Sequence, residues 1–364
     1  MSDEIERLIA TMDAAMRGKP DYPRNLAGLA ELVAAKNDPL RAFELARKAL
    51  GLAQDDPRTT ARLHALMSSL IPRYHIAMMN DVRRNTAWDT ALRHAIRPGM
   101  HVLELGTGAG MLALMAARAG ATVTTCEKNP VTAELARHII ARNGYADRIT
   151  VITKRSLDLE LGTDLPRRAD LLFCDNFADN LFAFEPLVSL SDARKRLLIP
   201  GAPMLPAAAS LHAALADWSE YEREVRIGAT SGFDLTPMRD FAPFSRNLKV
   251  GDDRLRVLGQ PREVFRFDLS AAVHPAQGAK QIAFDIAAAD EANGVVCWIK
   301  LDLGGETVLE TRPQPGLASF SNVVFYPFPD PLTVRRGDRV RIAYAYQGKS
   351  LETWLASIER GAGA

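Results

Sequence analysis

Apolar and polar positions fall into three successive patterns along the chain. Over the first 70 residues the apolar ones recur at i, i+3, i+4 spacing, in 4–16, 26–35, 39–52 and 57–70. That period predicts four amphipathic helices. Asp38-Pro39 and Asp56-Pro57 place a capping carboxylate before a proline, the signature of a helix start. Then Val102 to Leu105 forms a short apolar run that breaks into glycines, followed by an alanine- and leucine-rich helical stretch from Met111 to Ala119. This predicts a buried strand, a tight turn and a helix, with a second strand over 121–126. Beyond 206 apolar and polar residues alternate, in 264–269, 281–286, 294–303, 322–326 and 339–346. His274-Pro275, Asn293-Gly294, Gly304-Gly305 and Arg336-Gly337-Asp338 read as the turns between strands of a C-terminal β-barrel. The excursion from 218 to 247 interrupts that barrel. The expected division is a helical extension (1–70), an α/β Rossmann-like domain (71–206) and a barrel domain (207–364).

The chemistry concentrates at the first strand and turn, Glu104-Leu-Gly106-Thr107-Gly108-Ala-Gly110. Glycines remove Cβ atoms where a ligand must lie against backbone. The second strand ends on Glu127, about 20 residues past Gly106, where an acid is placed to bind ribose hydroxyls. The third glycine arrives one residue earlier than in the dinucleotide pattern. Glu104 adds a carboxylate that suits a cationic aminopropyl arm and repels a pyrophosphate. Together these favour S-adenosylmethionine (SAM) over a nicotinamide dinucleotide.

A length of 364 residues implies two or three domains, and 47% hydrophobic residues suffice to fill their cores. A net charge of +1 gives no global electrostatic case for nucleic acid or membrane binding. Three dispersed cysteines form neither a disulfide framework nor a metal site and fit a reducing compartment. With no signal peptide or membrane-length apolar run read from the sequence, the expected location is cytoplasmic.

Residues 73–88, RYHIAMMNDVRRNTAW, match through Tyr74, His75, Met78, Asp81 and Arg84 the Y-H-x-x-M-L-x-D-x-x-R segment of protein arginine methyltransferases. The chain resembles that family from about 72 to 345. RLLIPGAPMLP (196–206) is similar to its W-L-x-P-x-G-x-x-x-P lead into the barrel, and SGFDLTPM (231–238) to its G-F-D-(L/M)-S. The resemblance implies a SAM-binding domain in which residues 73–88 fold over the cofactor. It gives Arg84 the methionyl carboxylate, with His75 and Met78 alongside. It makes 149–152 and 170–175 the third and fourth strands and brings Ser156 and Leu157 to the adenine. It also implies a head-to-tail homodimer through the arm at 218–247. Residues 42–57 resemble the second helix of a tetratricopeptide repeat (TPR), so the TPR-like extension reads either as a docking surface or as a helical cap.

On the acceptor side the chain departs from the family, which clamps the guanidinium between two glutamates nine residues apart. Here Asp175 takes the first place, and the second falls on Phe184 with Glu185 one residue late. A bulge could turn Glu185 inward, and Asp179 is a spare acid. The family's T-H-W loop maps to 318–321, which lacks the histidine and tryptophan, leaving Phe320 as a stacking surface. The expected activity is N-methylation of a guanidinium or amine in a peptide, protein or small molecule, by Asp175 with Glu185 or Asp179. The alternatives are another small-molecule acceptor, an amine or hydroxyl, or an inactive homologue serving as an interaction module.

Overall fold

The computed structural model describes residues 2–271 and 273–361. Four helices lead: α1 (Ser2–Met16), α2 (Tyr22–Ala35), α3 (Pro39–Leu52) and α4 (Pro57–Leu70). Asp38 and Asp56 cap α3 and α4, accepting from the backbone N–H groups of Arg41 and Thr59, each at 3.1 Å. The apolar faces close a core of their own around Leu26, Val33, Leu45, Ala46 and Leu63.

The segment that follows is two helices rather than one run, α5 (Tyr74–Met79) and α6 (Val82–Ala95). Asp81 makes the break: its carboxylate accepts from the Arg84 N–H at 3.0 Å and so starts a new helix. Five parallel strands come next, β1 (His101–Leu105), β2 (Thr122–Cys126), β3 (Ile149–Ile152), β4 (Leu171–Cys174) and β5 (Met204–Leu205). Their spatial order is β3-β2-β1-β4-β5. Helices α7 (Met111–Arg118), α8 (Pro130–Arg142) and α9 (Pro186–Leu197) lie in the crossovers. Helix α3 lies against α8, so the N-terminal helices cover part of this domain. The strand order reverses between β1 and β4, the place where open α/β sheets bind ligands.

The chain then builds two antiparallel sheets. The larger contains β6 (Ala208–Trp218), β9 (Arg246–Lys249), β10 (Leu255–Asp268), β12 (Asp290–Asp302), β13 (Val308–Glu310) and β14 (Asn322–Val334). The smaller contains β11 (Gln277–Asp285), β15 (Arg339–Gln347) and β16 (Ser350–Glu359). The excursion after β6 carries a short helix, α10 (Tyr221–Glu224), and a hairpin of β7 (Ala229–Thr230) and β8 (Phe233–Asp234). Alternation along β6 and β12 sorts side chains between two cores. Leu211, Ala213, Leu215, Cys297 and Ile299 face the main one, while Ala214, Ala216, Trp218, Val296 and Trp298 pack around Tyr221 and Leu248. No helix among the described residues is long and apolar enough to cross a membrane.

One expected turn is not a turn. Asn293-Gly294 lies inside β12, at a register shift between Ala292 and Gly294. The Asn293 side chain, which would have favoured a hairpin, instead spans to β6. It accepts from Trp218 N at 2.8 Å and donates to Asp217 Oδ1 at 2.7 Å and Trp218 O at 3.1 Å. Gly294 is there because there is no room for more: a Cβ would stand 2.4 Å from the Phe325 ring and 2.6 Å from Tyr326 O. Gly294→Ala should therefore destabilise the protein by about 2 kcal/mol or more through overpacking. Urea unfolding monitored by tryptophan fluorescence measures it, and an unchanged midpoint would contradict this packing.

Candidate active site

Strand register assembles the site. Leu105 of β1 pairs with Cys126 of β2 and with Cys174 of β4. The next row beyond the strand ends is therefore Glu127, Gly106 and Asp175, side by side. Gly106, Gly108 and Gly110 all have positive φ, which a side chain resists. A Cβ on Gly108 would lie 3.4 Å from the His75 ring, so α5 closes over the turn. Met78, on the same short helix, is half-buried.

Glu127 is tied to the turn itself. Its Oε2 accepts from Gly108 N at 3.2 Å and its Oε1 from Asn129 N at 2.9 Å. Thr107 and Gly106 donate their N–H groups to Cys126 O at 3.0 and 3.1 Å. The Thr107 and Thr125 hydroxyls lie 2.6 Å apart, and Thr125 donates to Glu104 Oε2 at 2.6 Å. Glu104 is fully buried, with its carboxyl turned to this hydroxyl chain rather than displayed on an open cleft. Burial pushes that carboxyl up to about 8, against the pull of the Thr125 bond and of Arg84. His75 is held below its ordinary value, first by burial and then by Arg84, and its Nδ1 has no partner among the described residues.

Arg84 and Asp175 meet across the domain. Arg84, 4% exposed, gives Nε and Nη2 to Asp175 Oδ2 at 2.7 and 2.5 Å, and Nη1 to Asn85 Oδ1 at 2.9 Å. Asn85 is anchored in turn on Met79 O at 2.7 Å. A guanidinium has five N–H donors, so two remain. Burial raises the Asp175 carboxyl above the usual carboxylate range, with the Arg84 charge opposing. The Trp88 indole N–H is buried beside Asp175 and, like Arg84, opposes that rise.

The other two acids expected at the acceptor face different partners. Asp179 Oδ2 accepts from Asn322 and Asn247 of the barrel, at 3.1 and 3.3 Å. Glu185 stands at the start of α9 with φ 52°, and its Oε2 pairs with Lys349 Nζ of the β15–β16 turn at 3.1 Å. Leu181 is left-handed as well, at φ 72°, so the extra residue between Asp175 and Glu185 is absorbed by two unusual backbone positions. Phe184, in the place of the second acid, turns its ring to solvent. Ser156 and Leu157 form a one-turn helix whose Leu157 O accepts from Arg196 of α9 at 3.1 Å. In the 318–321 loop, Ser319 Oγ and Phe320 N donate to Asp81 Oδ2 at 2.6 and 3.1 Å. These bonds and the Arg84 N–H hold Asp81 below the usual carboxylate range, although burial alone would raise it. Asn85, Ser319 and Lys349 thus contribute to the site without a local motif to mark them.

Residues 90–203 match the family model of ribosomal protein L11 methyltransferase (PrmA). Among relatives, the chain is 34% identical over 284 residues to an arginine N(omega)-methyltransferase of Streptomyces achromogenes subsp. streptozoticus, covering 77% of this chain and 78% of that one. It is 32% identical over 258 residues to protein arginine N-methyltransferase 7 of Drosophila grimshawi. That match spans 65% of this chain but only 37% of the fly protein. The fold is similar to the Trypanosoma brucei PRMT1 enzyme–prozyme heterotetrameric complex with AdoHcy, with TM-score 0.69 and 22% identity over 79% of this chain and 93% of that one. It is also similar to Arabidopsis thaliana protein arginine methyltransferase 10, with TM-score 0.63 and 17% identity over 80% and 99%.

The Glu104 carboxyl makes stability depend on pH in a set direction. Its folded pKa of about 8 lies above the unfolded value near 4.5, so the folded state holds the proton more tightly. Its contribution is greatest below the unfolded value and is lost as pH rises through about 8. Glu104→Gln should flatten the decline in unfolding free energy between pH 5 and 8.5. Urea titrations of both proteins in the absence of ligand would show it, and parallel pH profiles would refute it.

Proposed function

Because the chain belongs to the arginine N-methyltransferase family, we propose that it is a SAM-dependent enzyme methylating a guanidinium nitrogen. The observation that carries this reading is the buried Arg84–Asp175 pair, set in one row with Gly106 and Glu127 at the sheet's reversal. The residues fit the cofactor on their own chemistry. Glycines without Cβ leave a cradle, a buried His75 nitrogen above it is unpaired among the described residues, and Arg84 retains two donors for a carboxylate. Glu127 would take the ribose hydroxyls, Thr107 and Gly108 line the turn, and Ser156 and Leu157 flank the base. When bound, SAM supplies a methyl group already activated on a sulfonium.

The chain's own work is on the acceptor. A guanidinium stays protonated at physiological pH, so a carboxylate must orient it and take up the proton that the attacking nitrogen gives up. Asp175 offers Oδ1 for this, while Arg84 fixes Oδ2. A carboxylate raised by burial is a stronger base than an exposed one. Glu185 is the second acid, reached once Lys349 leaves it. The intact turn and its Glu127 contact weigh against an inactive homologue.

Asp175→Asn should lower turnover about 100-fold or more, and, because Asp175 also seats Arg84, should weaken SAM binding slightly. Glu127→Ala should instead weaken SAM binding about tenfold or more through lost charge-assisted bonds. Methyl transfer from labelled SAM to guanidinium acceptors, with calorimetric titration of SAM, separates the two effects. Near-normal turnover by Asp175→Asn would sink the acceptor assignment, and no SAM binding by the wild type would sink the enzyme.

The reading extends to assembly as a homodimer. Phe233, Met238 and Phe241 of the excursion are 70%, 55% and 86% exposed, an apolar set suited to a partner's helices. Phe241→Asp should yield monomers in sedimentation at micromolar concentration. A wild type already monomeric there would contradict the dimer.

A further inference from the structure

The Glu185–Lys349 pair opens onto a groove that the assignments above do not use. It runs between the loop after β4 and the β15–β16 turn, with a volume of about 610 Å³. That lies within the range of small-molecule sites. Asn180 lines it from the loop, Phe244 from the segment before β9, Tyr326 from β14 and Trp354 from β16. Its charged lining residues are Lys349 of the β15–β16 turn and Glu352 of β16, one of each sign and three positions apart. Lys349 is held by Glu185. Glu352 makes no ion pair among the described residues.

We propose that this groove is the subsite for the α-amino-acid end of free arginine, with Lys349 taking its carboxylate and Glu352 its ammonium. The inference rests on the guanidinium reading above and narrows it to a free amino acid. Charge conservation carries the argument. In the acceptor-free protein the Lys349 ammonium neutralises Glu185. An incoming guanidinium takes Glu185 for itself and sets Lys349 free beside a second cation. A peptide-bound arginine would leave Lys349 only Glu352 to turn to, and would bring no charged group of its own for either residue. Free arginine brings its own carboxylate, so each charge keeps a partner through the exchange. The opposite charge of Glu352 completes the match to a zwitterion. The name of the Streptomyces relative, an arginine rather than a protein arginine methyltransferase, agrees with this choice.

Three acceptors separate the two charges: arginine, agmatine, which lacks the carboxylate, and 5-guanidinopentanoate, which lacks the ammonium. With the full-length protein and SAM, Lys349→Ala should raise KM for arginine and guanidinopentanoate about tenfold, and for agmatine much less. Glu352→Gln should raise KM for arginine and agmatine and spare guanidinopentanoate. Calorimetric binding of the three compounds in the presence of S-adenosylhomocysteine should follow the same pattern, and circular dichroism checks that both variants fold. Equal effects on all three acceptors would overturn the inference while leaving guanidinium methylation standing. So would a wild type that methylates an end-blocked arginine peptide more efficiently than free arginine. If the wild type methylates no guanidinium, the activity reading falls and this inference falls with it.

Discussion

A guanidinium taken almost wholly out of water must be held by a carboxylate and by hydrogen bonds, or the fold around it fails. Arg84 meets that demand with Asp175 and Asn85, and the rest of the site follows from where those groups must stand. Asp175 requires β4 beside β1, so that its carboxylate emerges level with Gly106. Arg84 requires α6 to start at Asp81, which fixes the break before it and lays α5 across the glycine turn. The charge is stabilised locally, yet the contact joins residues 91 positions apart. It closes the segment before the sheet onto the end of the strand that leads to Asp175.

Much of this was legible in the sequence, and for identifiable reasons. Strand β1, the turn and Glu127 are short-range features: an apolar run, glycines at fixed spacing and an acid one strand later. The caps at Asp38 and Asp56 are local as well, one carboxylate and one N–H three residues on. The Arg84 segment was visible only through its likeness to a family, since a lone arginine on a helix is ordinarily solvated. Its partner could not be read at all. Nothing near residue 84 or 175 announces the other, because the pairing is set by strand order.

Where the reading missed, long-range packing overrode local preference. Asn293-Gly294 has the chemistry of a hairpin turn, but β6 needed an amide to span Trp218 and Asp217, and Phe325 needed the space a Cβ would fill. Asp179, read as a spare acid for the acceptor, accepts from Asn247 and Asn322, partners no local motif announces. The hairpin of 176–185 shows the opposite case. Its one-residue surplus was plain in the sequence, but the solution, left-handed backbone at Leu181 and Glu185, depends on what the barrel offers Glu185.

Asp81 carries a mechanical consequence. One oxygen of its carboxylate starts helix α6 and the other holds Ser319 and Phe320, so a single side chain belongs to two domains at once. Helix and barrel loop therefore share a degree of freedom. The helix cannot tilt over the glycine turn without drawing the loop along or breaking three hydrogen bonds together. The wall on the barrel side and the cover over the turn are thus tied through one carboxylate.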